Sequence, residues 1–303
     1  MKQASPEVSI ASLDMVQLDY LVIGHTTYDL REHSPTVGGT AAYAARTARR
    51  LGCRVGVITS ADPELDLGDA LSDVLVARFS APRTTTFENI YTDGQRQQLV
   101  HGTAEPLVPS MVPEDWRAAI VHIGPVAQEC DPALVDALAD AFMGVTPQGW
   151  MRQWDQQGWV SRRPWSEAER VLPRADAVVL SEEDVEGNRN LAAEYAAQTK
   201  VLALTQGAAG CTVYVGDEVR HFDPPAVVEI DSTGAGDIFS ACFFYALYRG
   251  HDPWAAARFA NCLAAQSVTR LGLSSAPNAQ EVARCKQAAL GDEAGDAHHL
   301  RAG

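Results

Sequence analysis

The stretch Ile230-Asp231-Ser232-Thr233-Gly234-Ala235-Gly236-Asp237-Ile238-Phe239, continuing through Ser240-Ala241-Cys242-Phe243-Phe244-Tyr245-Ala246-Leu247, decides how this chain is read. A Gly234-Ala235-Gly236 turn leads into an apolar run in which Ile238, Ala241, Cys242, Tyr245 and Ala246 recur at helical spacing. With Phe239, Phe243 and Phe244 filling the gaps, the helix is expected to be buried on nearly every side. Small residues at a helix start leave N–H groups unobstructed at the positive end of the helix dipole, which suits a phosphoryl group. Asp237 falls in the first turn and shares that place. Transfer of a phosphoryl group to a hydroxyl needs such a pair: a carboxylate takes the hydroxyl proton while amides hold the charge growing on the phosphoryl oxygens. The same residues also suit a plain helix cap, with Ser232 or Thr233 capping and Asp237 favouring the dipole.

The remaining motifs choose between these readings. Tyr20-Leu21-Val22-Ile23-Gly24 reads as a strand and runs into His25-Thr26-Thr27-Tyr28-Asp29. Val37-Gly38-Gly39-Thr40-Ala41-Ala42-Tyr43 opens a helix that ends near Leu51-Gly52, Leu204-Thr205-Gln206-Gly207-Ala208-Ala209-Gly210 follows a later strand, and AAQSVTRLG spans 264–272. In this order, and with D-S-T-G-A-G-D-x-F, the motifs resemble those of the ribokinase-like (PfkB-type) sugar and nucleoside kinases from about Leu18 to Ser275. The resemblance implies an α/β fold with a central, mostly parallel sheet, helices on both faces and a small β-sheet lid. It implies Asp237 as general base beside the Gly234-Ala235-Gly236 amides, and Thr205, Gly207 and Gly210 at an ATP site, with Asn261 as a further candidate. It also implies Asp29, Gly38 and Gly39 at the acceptor.

Three departures from the family pattern shape the expected chemistry. The usual Asn-x-x-Glu is Ser181-Glu182-Glu183-Asp184 here, so Asp184 would serve Mg²⁺ through water with a side chain one methylene shorter. The Gly-Gly helix carries Tyr43 where an Asn commonly contacts sugar hydroxyls, so Tyr43 is expected to face the acceptor and to change the shape and polarity of its pocket. Pro147-Gln148-Gly149-Trp150-Met151-Arg152 replaces the usual Asp-Pro-Asn-x-Arg and resembles the myo-inositol kinase branch. So does Gly124-Pro125-Val126 with Glu129 beyond. Gln148 can donate and accept hydrogen bonds to a polyol, and Arg152 can steady the transferring phosphoryl or form a surface ion pair. Trp150, Trp154 and Trp159 read as packing residues. The expected activity is ATP-dependent phosphorylation of a small polyol or sugar. A nucleoside kinase, with Tyr43 or a nearby aromatic on the base, and a non-catalytic sugar or nucleotide sensor are the alternatives.

Composition sets the outer limits. The 303 residues suffice for a large core, and 46% hydrophobic with 21% charged residues is a globular balance. A net charge of -15 argues against nucleic-acid or anionic-membrane binding. Lys2, Lys200 and Lys286 are the only lysines and no G-x-x-x-x-G-K-[ST] occurs, so phosphate must be met by amides, arginines and metal. The six cysteines never form C-x-x-C and read as reduced thiols. Neither a signal peptide nor a membrane span is legible, which predicts a cytoplasmic protein. Residues 1–290 are expected to form one kinase domain and 291–303 a loose tail. The lid is expected from about 30–37 and 84–106, around an Asp93-Gly94 hairpin turn, with a homodimer possible through its edge. Helices are expected at Thr40–Arg50, Pro132–Ala141, Leu191–Gln198 and Asp237–Tyr248.

Overall fold

The computed structural model describes residues 15–30, 35–92 and 95–291. In chain order its strands and helices are β1 (Val16–Ile23), β2 (Thr27–Leu30), β3 (Thr36–Gly38), α1 (Thr40–Arg50), β4 (Val55–Ala61), β5 (Leu75–Ser80), β6 (Thr85–Thr92), β7 (Gln95–Gly102) and β8 (Trp116–Ile123). There follow α2 (Leu134–Ala137), β9 (Phe142–Val145), β10 (Arg152–Trp154), β11 (Val160–Arg162), α3 (Ala168–Val171), β12 (Ala177–Ser181) and α4 (Arg189–Ala196). The chain closes with β13 (Leu202–Thr205), β14 (Cys211–Val215), β15 (Glu218–Phe222), α5 (Ala235–Tyr248), α6 (Pro253–Ser267) and α7 (Ala279–Ala289).

Among the described residues, the large sheet runs β15-β14-β13-β12-β9-β8-β1-β4-β5. Its strands are parallel from β13 to β5, and β14–β15 is an antiparallel edge hairpin. Both faces are covered, which explains why β1 reads as a nearly continuous apolar run. Tyr20 and Val22 point into one core with Ile238, Phe239, Phe243 and Phe259; Leu21 and Ile23 point into the other with Val121, Trp150, Trp165 and Leu202. Against Phe244 on the first of these faces, His122 is wholly buried: Tyr20 Oη lies 3.2 Å from its Nδ1 and Thr146 Oγ1 lies 3.0 Å from its Nε2. Burial pushes this imidazole down to about 3, so it is a neutral link tying β1, β8 and β9.

The chain winds from β1 to β4 and β5 on one side, then crosses to β8, β9, β12 and β13 on the other. The strand order therefore reverses between β1 and β8, and in open α/β sheets the crevice beyond the carboxyl ends at such a point is the binding place. The described residues also form a four-stranded sheet, β3-β2-β6-β7, which agrees with the smaller sheet expected. The parts of that expectation at 31–34 and 93–94 lie outside the described residues, as do 1–14 and 292–303. No described helix is long and apolar enough to cross a membrane.

Two expectations need correction. Only Leu134–Ala137 of the expected Pro132–Ala141 helix forms: Leu134 and Val135 bury their side chains, and a single turn suffices to link β8 to β9. Cys262 and Cys285 are joined by a disulfide between α6 and α7, with Cα atoms 5.9 Å apart, so not all six thiols are reduced. The spacing of 23 residues hides this, because only the packing of the two helices brings the sulfurs together. Cys53, Cys130, Cys211 and Cys242 are buried and free.

Candidate active site

Gly234 caps α5 with φ +81°, and a Cβ there would lie 2.3 Å from the Tyr43 ring, so both backbone and space require glycine. Helix hydrogen bonding begins where Ile238 N donates to Gly234 O at 2.9 Å. Ala235 N is engaged inside the turn with Ser232 O at 3.1 Å. The predicted anion hole therefore rests on the N–H groups of Gly236 and Asp237, with open space where a Gly236 side chain would be. Asp231 braces the loop from behind: its carboxylate accepts from Thr233 N at 3.0 Å and Gly272 N at 3.1 Å. Burial pushes the Asp237 carboxyl up to about 6; a hydrogen bond from the Thr40 hydroxyl and the Arg152 guanidinium pull it down, while Asp29 pushes it up. The base expected on α5 is thus hydrogen-bonded by Thr40 of α1 and lies within electrostatic reach of Asp29 of β2 and Arg152 of β10. All four come from separate parts of the chain.

Asp29 arrives beside the glycines predicted with it. A Cβ at Gly38 would sit 2.2 Å from Asp29 Oδ2, and Thr27 Oγ1 donates to Asp29 Oδ1 at 3.2 Å. Gly39, at φ +83°, caps α1. Tyr43, expected at the acceptor, is instead only 2% exposed and packs beneath the Gly234 turn, so its ring supports that turn from the core side. Behind this group the buried Glu129 closes the switch point. Its carboxylate accepts from His25 N at 2.9 Å, Val126 N at 3.0 Å and Ala127 N at 2.7 Å, joining the loops after β1 and β8.

Gln148, Arg152 and Asp184 line one pocket of about 600 Å³ together with Gln97 and Gln98 of β7 and Ser161 of β11. Arg152 Nη1 donates to Val126 O at 3.4 Å, and its guanidinium lies 5.8 Å from the Phe87 ring centre. Ser181 and Asp184 brace one another, Ser181 N donating to Asp184 Oδ2 at 2.8 Å and Asp184 N to Ser181 Oγ at 3.1 Å. Burial raises the Asp184 carboxyl; the Ser181 N–H and Arg152 oppose the rise. No group of three metal-ligating side chains occurs among the described residues. Glu183 and Asp184 on one pocket wall nevertheless fit Mg²⁺, which keeps several waters and is held largely by phosphate oxygens.

The predicted nucleotide loop lies next along the sheet, since Ser181 pairs with Thr205 in the β12–β13 register. Thr205 Oγ1 donates to Leu180 O at 3.2 Å, and Gly207 and Gly210 adopt φ +56° and +87° in the turn that follows. Asn261 is buried on α6 and donates to Phe222 O at 3.0 Å, which fixes the chain just after that turn's hairpin. Trp150 packs against Trp165 as expected, whereas Trp159 is 40% exposed on the pocket wall. Thr40, Asp231 and the Gln97–Gln98 pair were given no role in advance, and Glu129 was singled out beside Gly124-Pro125-Val126 but without one. Thr40 follows Gly39 directly, which was the one available signal.

Residues 87–280 match the model of the pfkB family carbohydrate kinases. Inositol 3-kinases of Zea mays and Oryza sativa subsp. japonica are 24% and 27% identical over 84% and 87% of this chain, and 73% and 71% of their own length. A solved pyrophosphate-dependent myo-inositol-1 kinase, converted by mutation into a myo-inositol-3 kinase, superposes with TM-score 0.76 at 21% identity, covering 89% of this chain and 99% of that one. An Arabidopsis thaliana ribokinase complexed with ribose and ATP gives TM-score 0.70 at 18% identity, covering 89% and 99%.

Proposed function

The chain belongs to the pfkB family of carbohydrate kinases, and from that premise we propose that it phosphorylates a hydroxyl of a small polyol, with myo-inositol the preferred acceptor. The observation that carries the mechanism is Asp237 in the first turn of α5, behind the left-handed Gly234, hydrogen-bonded by Thr40 and within electrostatic reach of Arg152 and Asp29. Asp29, with Gly38 and Gly39 beneath it, holds acceptor hydroxyls, and Gln148 orients the ring from the pocket side. Asp237 takes the proton of the attacking hydroxyl. The N–H groups of Gly236 and Asp237 and the Arg152 guanidinium hold the charge on the phosphoryl oxygens. Asp184, with Glu183 beside it, would hold Mg²⁺ through water, and the ion would neutralise the donor's phosphates.

ATP is the donor expected from Thr205, Gly207, Gly210 and Asn261. Pyrophosphate is a second reading, favoured by the fold likeness to a pyrophosphate-dependent kinase and by a phosphate site built largely of backbone amides. Purified protein with Mg²⁺ should be offered each donor against myo-inositol, ribose, fructose, adenosine and inosine. Turnover on myo-inositol at least tenfold above the rest is expected; equal turnover on all would remove the inositol assignment, and turnover on none would remove the kinase.

A further inference from the structure

The β10–β11 hairpin touches three parts of the site at once. Its register pairs Arg152 with Arg162 and Trp154 with Val160. Its turn is closed by Asp155, whose carboxylate accepts from Gln157 N at 3.0 Å and Trp159 N at 2.9 Å. At the tip, Gly158 O accepts from Val100 N of β7 at 2.9 Å, and Leu99 and Trp159 form an antiparallel bridge. Gly158 has φ +91°, and a Cβ there would come within 2.3 Å of Val100 O. Trp154 and Val160 pack against Phe87 and Val100 of the lid and Val126 and Ala127 of the large domain. At the base, Arg162 Nε donates to Asp184 O at 2.7 Å.

We infer that this hairpin is a latch that joins the lid to Arg152 and to the Asp184 turn, so that closing the lid on an acceptor and seating Arg152 against the donor are one event. The inference rests on the kinase reading and on Arg152's place in it. Its consequence is acceptor gating. In the wasteful reaction, a water oxygen forms the new bond to phosphorus in place of the acceptor hydroxyl. The donor's bridging P–O bond then breaks, and orthophosphate leaves with ADP or a second orthophosphate. With the lid unengaged, Arg152 is not held at the phosphoryl group and this reaction stays slow. Gly158, rather than any residue that touches substrate, is the joint on which the coupling depends.

The test compares the wild type with Gly158→Val, which places a β-branched side chain at a positive φ and against Val100 O. Asp155→Ala serves as a second variant that loosens the turn without adding atoms. Amide exchange at Val100 is read alongside the ratio of donor hydrolysis without acceptor to phosphorylation with it. Exchange at Val100 should rise, and the ratio should rise about tenfold, because a reacting group displaced by about 1 Å loses productive transfer first. An active wild type with an unchanged ratio in a variant whose Val100 amide is exposed overturns the latch alone. So does unchanged Val100 exchange in both variants. A wild type that phosphorylates nothing overturns the kinase reading and the gating together.

Discussion

Burial makes Asp237 a better base than a surface carboxylate, and the same burial makes its ionised form costly to the fold. The acid limb of kcat/KM should therefore have a midpoint near pH 6, with transfer falling about tenfold per pH unit below it. Asp237→Asn should lower kcat by about a thousandfold in a donor-consumption assay. Because folding raises this carboxyl, ionised Asp237 costs stability above pH 6, and the cost vanishes where both folded and unfolded chains are protonated, below about pH 4. The variant should thus be more stable than wild type by about 1–2 kcal/mol at pH 7 and equal to it near pH 3.5, measured by urea titration. Thr40→Val removes the hydroxyl that favours the ionised form, so the midpoint should move to higher pH; Thr40→Ser should restore it. Unmoved pH profiles would detach Thr40 from the base. The place of Asp237 in the first turn of α5 was legible because the Gly234-Ala235-Gly236 turn that starts the helix directly precedes it. Thr40 was not, because its partner is distant in sequence and one side chain carries no sign of what it will meet; Glu129 was marked beside Gly124-Pro125-Val126, but its reach to His25 N, 104 residues away, was not legible.

Elements with a strong local pattern were read almost to the residue. Thr40–Arg50 forms as expected, since small residues at its start and Arg49 and Arg50 in its last turn mark both ends. The β10–β11 hairpin was invisible as an element, because strands of three residues offer no alternation to read. The α6–α7 pair was hidden for another reason: its disulfide depends on tertiary contact. The closed loop predicts a stabilisation of about 3 kcal/mol. Cys285→Ala, or reduction of the native protein, should therefore lower the urea midpoint without changing the pH midpoint of catalysis, and no loss of stability would show that the link carries none. The same helix is pinned by Arg270, whose Nη1 and Nη2 donate to Glu281 at 2.6 and 3.0 Å. Arg270 and the Asn278 backbone hold the Glu281 carboxyl below its ordinary value, so this support is present at neutral pH and fades on acidification.

At the scale of the whole molecule, the sheet is a fixed platform and the lid a smaller body above its carboxyl edge. The carboxyl halves of β1 and β8 are sealed between two apolar cores, while among the described residues β6 and β7 share a small buried cluster of Phe87, Val100, Val126 and Ala127. Native-state hydrogen exchange should find β1 and β8 amides opening only with the global transition, and β7 amides opening at lower free energy. Equal protection in both would mean that the lid never moves alone. That the sheet is mostly parallel was readable because strands alternate with helices and repeat the same apolar signature; its order, with the reversal between β1 and β8, follows only from the pairing. One further consequence comes from the cysteines. Cys53 and Cys242 lie in the α5 core, Cys130 lies beneath the opposite face and Cys211 begins β14, all buried, while the other two are bonded to each other. Burial pushes the Cys53 and Cys211 thiols up to about 12, which suppresses their thiolates. The intact chain is thus silent to a maleimide, and the order in which its four sulfurs become reactive under mild denaturant would time the opening of each layer with no probe engineered in.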